Sequence, residues 1–308
     1  MKYFTIRKDI LATLAYFNMF DYPLKKKEIF SFLGHCNDYL EFDNALNSLL
    51  KDYAIFKLAD LYSLKNDFQQ VVRRHNGNER AAKLLKRADT AAAIIAAFPF
   101  VKGVAISGSL SKYFADENSD IDFFIITTPN RLWIARTLLH IFKKFTFIVN
   151  RQHSFCMNYF IDEEEPVIIE KNIYTAIETA TIIPLYGIDT FDHFFRENKW
   201  VCNFLPNKFI GTPVTCRTEP GWIKSRIENA FTNRFGNYLD DYLMKLTDRT
   251  WTLKTRKNKK NSKGFLMSMH VGKHFSKASP DIFQRAILQR YETSLSEIFR
   301  QFDLSLAK

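Results

Sequence analysis

Two short stretches constrain this chain more than any others: Val104-Ala105-Ile106-Ser107-Gly108-Ser109 and Ser119-Asp120-Ile121-Asp122-Phe123-Phe124-Ile125-Ile126. The first reads as a buried strand that stops at Gly108. Residues 109–116 then suit a short helix with a serine as its cap. The second reads as a strand whose outer half is continuously apolar, which places it inside a covered sheet. Strand side chains alternate faces, so Asp120 and Asp122 are expected on one face, about 6–7 Å apart. Carboxylates that close repel unless a cation lies between them. Mg²⁺ suits the place, because it takes one or two carboxylates and completes its shell with water and phosphate oxygens. A Gly-Ser turn at a helix start offers N–H groups and a hydroxyl to a phosphate. Together these residue types describe a site for a metal-bound nucleoside triphosphate. The alternative is a surface strand with two solvated acids, and the apolar run after Asp122 argues against it.

The arrangement resembles the nucleotidyltransferase superfamily named after DNA polymerase beta, whose signature is an apolar strand, Gly-Ser, a short gap, then Asp-x-Asp in a second apolar strand. Gly108, Ser109, Asp120 and Asp122 stand on those positions, with Ile106 and Phe123 apolar beside them. The resemblance implies that Asp120 and Asp122 hold Mg²⁺ (or Mn²⁺) across the phosphates, while Gly108, Ser109 and Lys112 bind the nucleotide. The implied activity moves a nucleoside monophosphate from an NTP to an acceptor hydroxyl and releases pyrophosphate. The resemblance also implies a third metal carboxylate on the strand that follows the next helix. Over Phe155–Asp162, a period of two puts Asn158 and Asp162 on one face, with Asn158 at the expected mid-strand place and Asp162 about 13 Å further along. Asn158 offers a carbonyl oxygen to a metal but no charge. The rival reading is therefore a weak or inactive nucleotide-binding relative that acts as a DNA-binding regulator or interaction module.

The rest of the chain sets the frame. At 308 residues it is long enough for two or three domains, and 46% hydrophobic content with 30 phenylalanines excludes disorder for most of it. Charges interrupt the N-terminal segment, so no signal peptide is expected. The apolar run at Ala91–Val101 is too short for a membrane span and contains Pro99. Cys36, Cys156, Cys202 and Cys216 are scattered, which argues against a zinc site or disulfide framework and fits a reducing cytoplasm. The net charge of +11 fits an anionic partner such as a nucleotide or nucleic acid.

Residues 1–66 read as three helices and a hairpin, the pattern of a winged helix-turn-helix. The hairpin is Ile55–Leu58 and Leu61–Leu64 around Ala59-Asp60. The functional reading is DNA binding by the third helix and the wing, the structural one a docking module. The acidic start of that helix, Glu41-Phe42-Asp43, is unlike a groove-reading surface.

Residues 67–98 read as one or two connecting helices broken near His75-Asn76-Gly77-Asn78. Arg73, Arg74, Arg80, Lys83, Lys86 and Arg87 are expected on their solvated face. The nucleotidyltransferase-like domain spans 99–206, with a helix over 132–144, short strands over 145–149 and 155–161, and Glu178 as the one acid on a helix near 172–180. Residues 207–308 are expected to form a C-terminal helical domain. It opens with a Pro/Gly-containing linker over 207–220 and carries a basic loop near 249–264 that includes Lys257, Lys259, Lys260 and Lys263; the loop reads either as a grip for nucleic acid or the triphosphate tail, or as a solvated loop. His270 and His274, four apart, could share a helical face as metal ligands, but with no third ligand in view they are expected to be surface histidines. The fold class expected is α+β: a central mixed sheet flanked by a winged helix and a helical domain.

Overall fold

The computed structural model describes residues 2–148, 155–211, 222–259, 269–278 and 281–302. The architecture is α+β around a mixed sheet. It begins with α1 (Lys2–Asn18), whose Ile6, Ile10, Leu11, Leu14 and Phe17 are buried at the helical spacing seen in the sequence. A two-residue strand β1 (Leu24–Lys25) leads into α2 (Lys26–Ser31). Next comes α3 (Tyr39–Lys51), capped by the Asp38 carboxylate, which accepts from the N–H groups of Leu40 and Glu41. The hairpin β2 (Phe56–Leu58) and β3 (Leu61–Ser63) forms where the sequence puts it, turning through Ala59 at φ +57°. These strands make an antiparallel sheet in the order β1-β3-β2.

The core of this N-terminal unit is open to the rest of the chain. Phe42, Leu46 and Leu49 of α3 belong to an apolar cluster formed mostly by residues between Ile6 and Tyr62, and Phe114, Ala176, Ile177, Val201 and Leu205 from far along the chain complete it. This cluster crosses the boundary at 66 expected from the sequence.

The expected break near residue 77 is absent. Residues Gln69–Ala96 form one long helix, α4. Gly77 serves a contact rather than a hinge: a Cβ there would stand 2.2 Å from the Phe114 ring, and its carbonyl accepts from the Ala115 N–H. Nor are the α4 arginines merely solvated. Arg74 is buried, donates to the Pro23 carbonyl and Glu28, and lies over the Tyr22 ring. Arg73 reaches the Phe20 and Asp21 carbonyls and pairs with Asp116, while Arg80 pairs with Glu117. Lys83, Lys86 and Arg87 are exposed as expected.

The central sheet follows from β4 (Val101–Ile106), β5 (Asp122–Thr127), β6 (Cys156–Asp162) and β7 (Ile183–Tyr186). Helix α5 (Leu132–Ile148) is the crossover that makes β5 and β6 parallel; the other pairings are antiparallel. Residues 145–148, expected as a strand, are the end of this helix. The apolar run of β5 is explained by cover on both faces. Phe123 and Ile125 pack with Ala91, Ile95 and Leu139, while Phe124 and Ile126 pack with Phe191, Phe194 and Phe195. Helix α6 (Ile173–Thr181) turns Ala176 and Ile177 into the N-terminal cluster, while α7 (Ile188–Glu197) supplies the second layer.

The C-terminal third is not wholly helical. After α8 (Trp222–Phe231) and α9 (Arg234–Arg256), the strands β8 (Met269–Val271) and β9 (Phe275–Ala278) join the central sheet, giving the order β7-β4-β5-β6-β9-β8. The last helix, α10 (Asp281–Gln301), lies on α1, with Tyr291, Ile298 and Phe299 against the N-terminal cluster. Arg249, Lys254 and Arg256 of the expected basic loop sit in the last turns of α9. Lys257 and Lys259 follow it, and Lys260 and Lys263 lie outside the described residues, as do Cys216 and most of the linker. Among the described residues no helix is long and apolar enough to cross a membrane.

Helix α9 is fixed to α5 by Asp240, 1% exposed, which accepts from the Ile134 N–H at 2.8 Å. Burial pushes this carboxyl up to about 7, against the lowering pull of the Ile134 and Trp133 N–H groups and Arg131. The folded protein therefore holds the proton where the unfolded chain has released it. Stability contributed by Asp240 falls as pH rises from about 4 to about 7. Urea unfolding across that range should show Asp240→Asn losing less stability with rising pH than wild type; parallel profiles would contradict the assignment.

Gly77 gives a second test. Gly to Ala inside a helix normally adds roughly 1 kcal/mol of stability. Here Gly77→Ala should instead cost about 1–3 kcal/mol, because the methyl overpacks against Phe114. A raised melting temperature would contradict the packing described.

Candidate active site

The end of β4 and the start of β5 meet at one tight contact. Gly108 turns the chain at φ +69°, and the Ser107 N–H donates to the Asp122 carbonyl at 2.9 Å. A Cβ at Gly108 would stand 2.8 Å from the Asp122 carboxylate oxygen Oδ2, so the turn needs glycine for both its backbone angle and its neighbour. Ser109 follows, exposed, at the head of a single 3-10 turn, Leu110–Lys112, rather than the longer helix expected over 109–116. Its hydroxyl makes no capping bond. Instead the Ser111 hydroxyl donates back to the Gly108 carbonyl at 2.8 Å.

Asp122 is the first residue of β5, so Asp120 lies in the coil just before the strand rather than on its face. Both acids are half-exposed and both bear on the Cys156 thiol. Burial is the largest cause pushing that thiol up to about 11, and the charge of Asp122, then that of Asp120, adds to it. The Cys156 side chain is therefore a neutral thiol at ordinary pH, not a nucleophile.

Lys112 is brought to the same turn, donating to the Gly108 carbonyl at 3.0 Å and to Glu178 of α6 at 2.8 Å. Glu178, the one acid on that helix, is thus half of a clamp across the site. On the other side, the Asn158 amide donates to Asp122 Oδ1 at 2.7 Å. The pairing of β5 with β6 skips Asn158, matching Phe123 to Met157 and Phe124 to Tyr159. This bulge turns an exposed Asn158 toward the carboxylate.

Asp162 is not part of this group. The register pairs Thr127 with Asp162 but Asp122 with Cys156, so Asp162 sits about 16 Å away, at the other end of the sheet. It is fully buried and accepts from the N–H groups of Asn130, Glu164 and Glu165. His274, in the turn between β8 and β9 and not on a helix, approaches it with Nδ1 at 2.9 Å. Ligating atoms of Asp162, Glu164 and His274 all lie within 4.8 Å of one another, a group able to hold a metal ion. The sequence hides this trio because the β6–β9 pairing assembles it from positions more than a hundred residues apart.

Two cavities open on Asp122. One, of about 480 Å³, is lined by Gly108, Ser109, Lys112, Glu178 and a set of aromatic rings. The other, of about 200 Å³, lies toward Asn158, Tyr159 and Lys277, and shares Gly108, Asp122, Tyr174 and Glu178 with the first. Of the residues singled out in the sequence, Gly108, Ser109, Lys112, Asp122 and Asn158 are brought together on these walls, and Asp120 flanks them.

Comparison with protein-family models, characterised proteins and solved structures finds no match to this chain. The site is therefore argued from its own geometry.

That geometry can be tested without any ligand. Gly108→Ala should cost about 1–3 kcal/mol, part from the left-handed angle and part from the clash with Asp122. In an Asp122→Ala background the clash is gone, and the same substitution should cost measurably less. Equal costs in both backgrounds, by denaturant unfolding, would show that the carboxylate does not rest on the turn.

Proposed function

We propose that the protein is a metal-dependent nucleotidyltransferase of the DNA polymerase beta type, moving a nucleoside monophosphate from an NTP to an acceptor hydroxyl. The observation that carries this reading is the packing of the Asp122 carboxylate against the Gly108-Ser109 turn. The contact puts a cation ligand and a phosphate-binding turn within one small site. Asp120 and Asp122 would hold Mg²⁺ or Mn²⁺, and Gly108 and the exposed Ser109 would face the phosphates. Bound there, the metal would neutralise charge on the transferring group. The two cavities meeting at Asp122 offer separate places for donor and acceptor. Lys112, already held by Glu178, would orient the turn and lend charge to the triphosphate end.

The N-terminal unit supports a winged-helix reading through its order of three helices and a three-stranded sheet. Its role is better read as part of the enzyme than as a DNA reader. The first turn of α3 carries Glu41, Asp43 pairs with Lys26, and the unit shares its core with the rest of the protein.

A second reading, a catalytically weak nucleotide-binding relative, is favoured by one observation: Asn158, not an acid, is the side chain that meets Asp122 from β6. With two carboxylates the site would bind one metal–nucleotide complex, yet lack the group that anchors a second metal and helps deprotonate the acceptor.

Calorimetry separates binding from these alternatives. Asp122→Ala and Asp120→Ala should each abolish Mg²⁺-dependent NTP binding while the fold persists. Equal affinity in wild type and both variants would remove the assignment. Labelled-NTP transfer then tests catalysis: Asn158→Asp should raise turnover by adding charge for a second metal. A wild type that is fast and indifferent to this change would show that Asn158 is not the missing ligand.

A further inference from the structure

The larger cavity at Asp122 reaches well beyond the Gly-Ser turn, and half of the residues lining it are aromatic. Beyond the Gly-Ser turn it runs between α1 and α6, past Tyr16 and Phe20, Tyr22, Phe114, Tyr174, and Phe283 of α10. Rings from four separate parts of the chain are thus gathered beside a phosphate-binding turn. Phe20 and Phe283, which line the same cavity, are 39% and 43% exposed. Large rings left open to water around a concave site mark a place where another flat apolar surface is received.

The wall also carries an unsatisfied polar group. Tyr16 is 2% exposed, and its hydroxyl has no hydrogen-bond partner among the described residues; no other such buried atom belongs to a residue lining this cavity. The ring lies against Phe17, Phe20 and Tyr291. Burial first, and then the charge of Glu178, hold the phenol well above its ordinary value, so it stays protonated and able to donate. A buried hydroxyl without a partner costs about 1–3 kcal/mol. The hydroxyl is closed to water as it stands, so a small turn of the Tyr16 ring would be needed for a ring nitrogen or exocyclic oxygen of a flat ligand to satisfy it while the ligand's faces stack on the aromatic rings.

We infer that this aromatic chamber is the nucleobase pocket of the NTP, with Tyr16 of α1 as its polar contact and Phe20 as a stacking wall. The inference rests on reading Gly108, Ser109 and Asp122 as the metal–triphosphate site, and it adds what that reading lacks. The base is gripped by the N-terminal unit, so α1 is a substrate-binding element. A cavity of about 480 Å³ is of the size that small-molecule sites take, and it reaches the turn where the phosphates would lie.

The experiment uses the full chain and two classes of probe. ATP, GTP, CTP and UTP with Mg²⁺ carry a base; Mg²⁺–tripolyphosphate does not. Tyr16→Phe removes only the hydroxyl, and Phe20→Ala removes an exposed ring, so both variants should fold. With the tightest-binding NTP, Tyr16→Phe should weaken binding roughly threefold to tenfold, and Phe20→Ala about fivefold or more. Tripolyphosphate binding should be unchanged in both. Tyr16→Phe should also raise the melting temperature of the unliganded protein, since it deletes an unsatisfied buried group.

Asp122→Asn should abolish binding of both probe classes, which tests the metal–triphosphate reading separately. If that reading fails, free nucleoside without Mg²⁺ still decides the pocket: binding that Tyr16→Phe and Phe20→Ala weaken supports it. The inference is overturned if neither variant weakens NTP or nucleoside binding. It is equally overturned if both weaken tripolyphosphate as much as NTP, or if no base-bearing probe binds at all.

Discussion

The contact between Gly108 and the Asp122 carboxylate is the constraint on which the rest of the candidate site depends. A residue with a side chain at 108 would need a left-handed backbone and the space that Asp122 occupies. Everything around it holds that contact in register. The β4–β5 pairing runs from Val101–Thr127 to Ile106–Phe123 and delivers both residues at the same end of the sheet. Phe114, seated against Gly77, fixes the chain leaving the turn, and the Lys112–Glu178 pair ties the turn to α6. A bulge then brings Asn158 in from β6. The candidate site is a corner braced from four directions.

Integration of the N-terminal unit follows from the same packing logic. A unit of about 60 residues buries only about 60% of the surface its unfolded chain exposes, so added apolar contacts stabilise it disproportionately. Here the unit completes its core with α6, α10 and the segment around Val201 and Leu205. That choice costs independence and gains a wall for the cavity beside Asp122. Arg74, buried between Tyr22 and Glu28, is one of the bolts: its charge is satisfied by a carbonyl and a carboxylate, so burial is tolerated.

How much of this was legible in the sequence depends on the range of the forces involved. Gly108-Ser109 and the apolar run after Asp122 could be read because strand periodicity and glycine's backbone freedom act locally. The Ala59-Asp60 hairpin belongs to the same class. Gly77 misled because its reason lies 37 residues away, in the Phe114 ring. The three-residue β8 and four-residue β9 are too short and mixed to announce themselves, so the sequence suggests a helix at His274 and gives no sign that it meets Asp162. Asp120 was put on the strand by strict alternation, whereas pairing begins only at Asp122. Asn158 was found at the right place by counting along β6, but the bulge that aims it at Asp122 was invisible to a period of two.

The cation site proposed at Asp122 and the acid–histidine trio of Asp162, Glu164 and His274 stand at opposite ends of the β5–β6 pair. Crystals grown with Mn²⁺ and a non-hydrolysable NTP, with the metal located by anomalous scattering, decide between them most directly. The account predicts a Mn²⁺ peak about 2.1–2.2 Å from an Asp122 oxygen, with phosphate density over Gly108 and Ser109. Mn²⁺ found only at His274 and Asp162, with no nucleotide at the Gly-Ser turn, would contradict it.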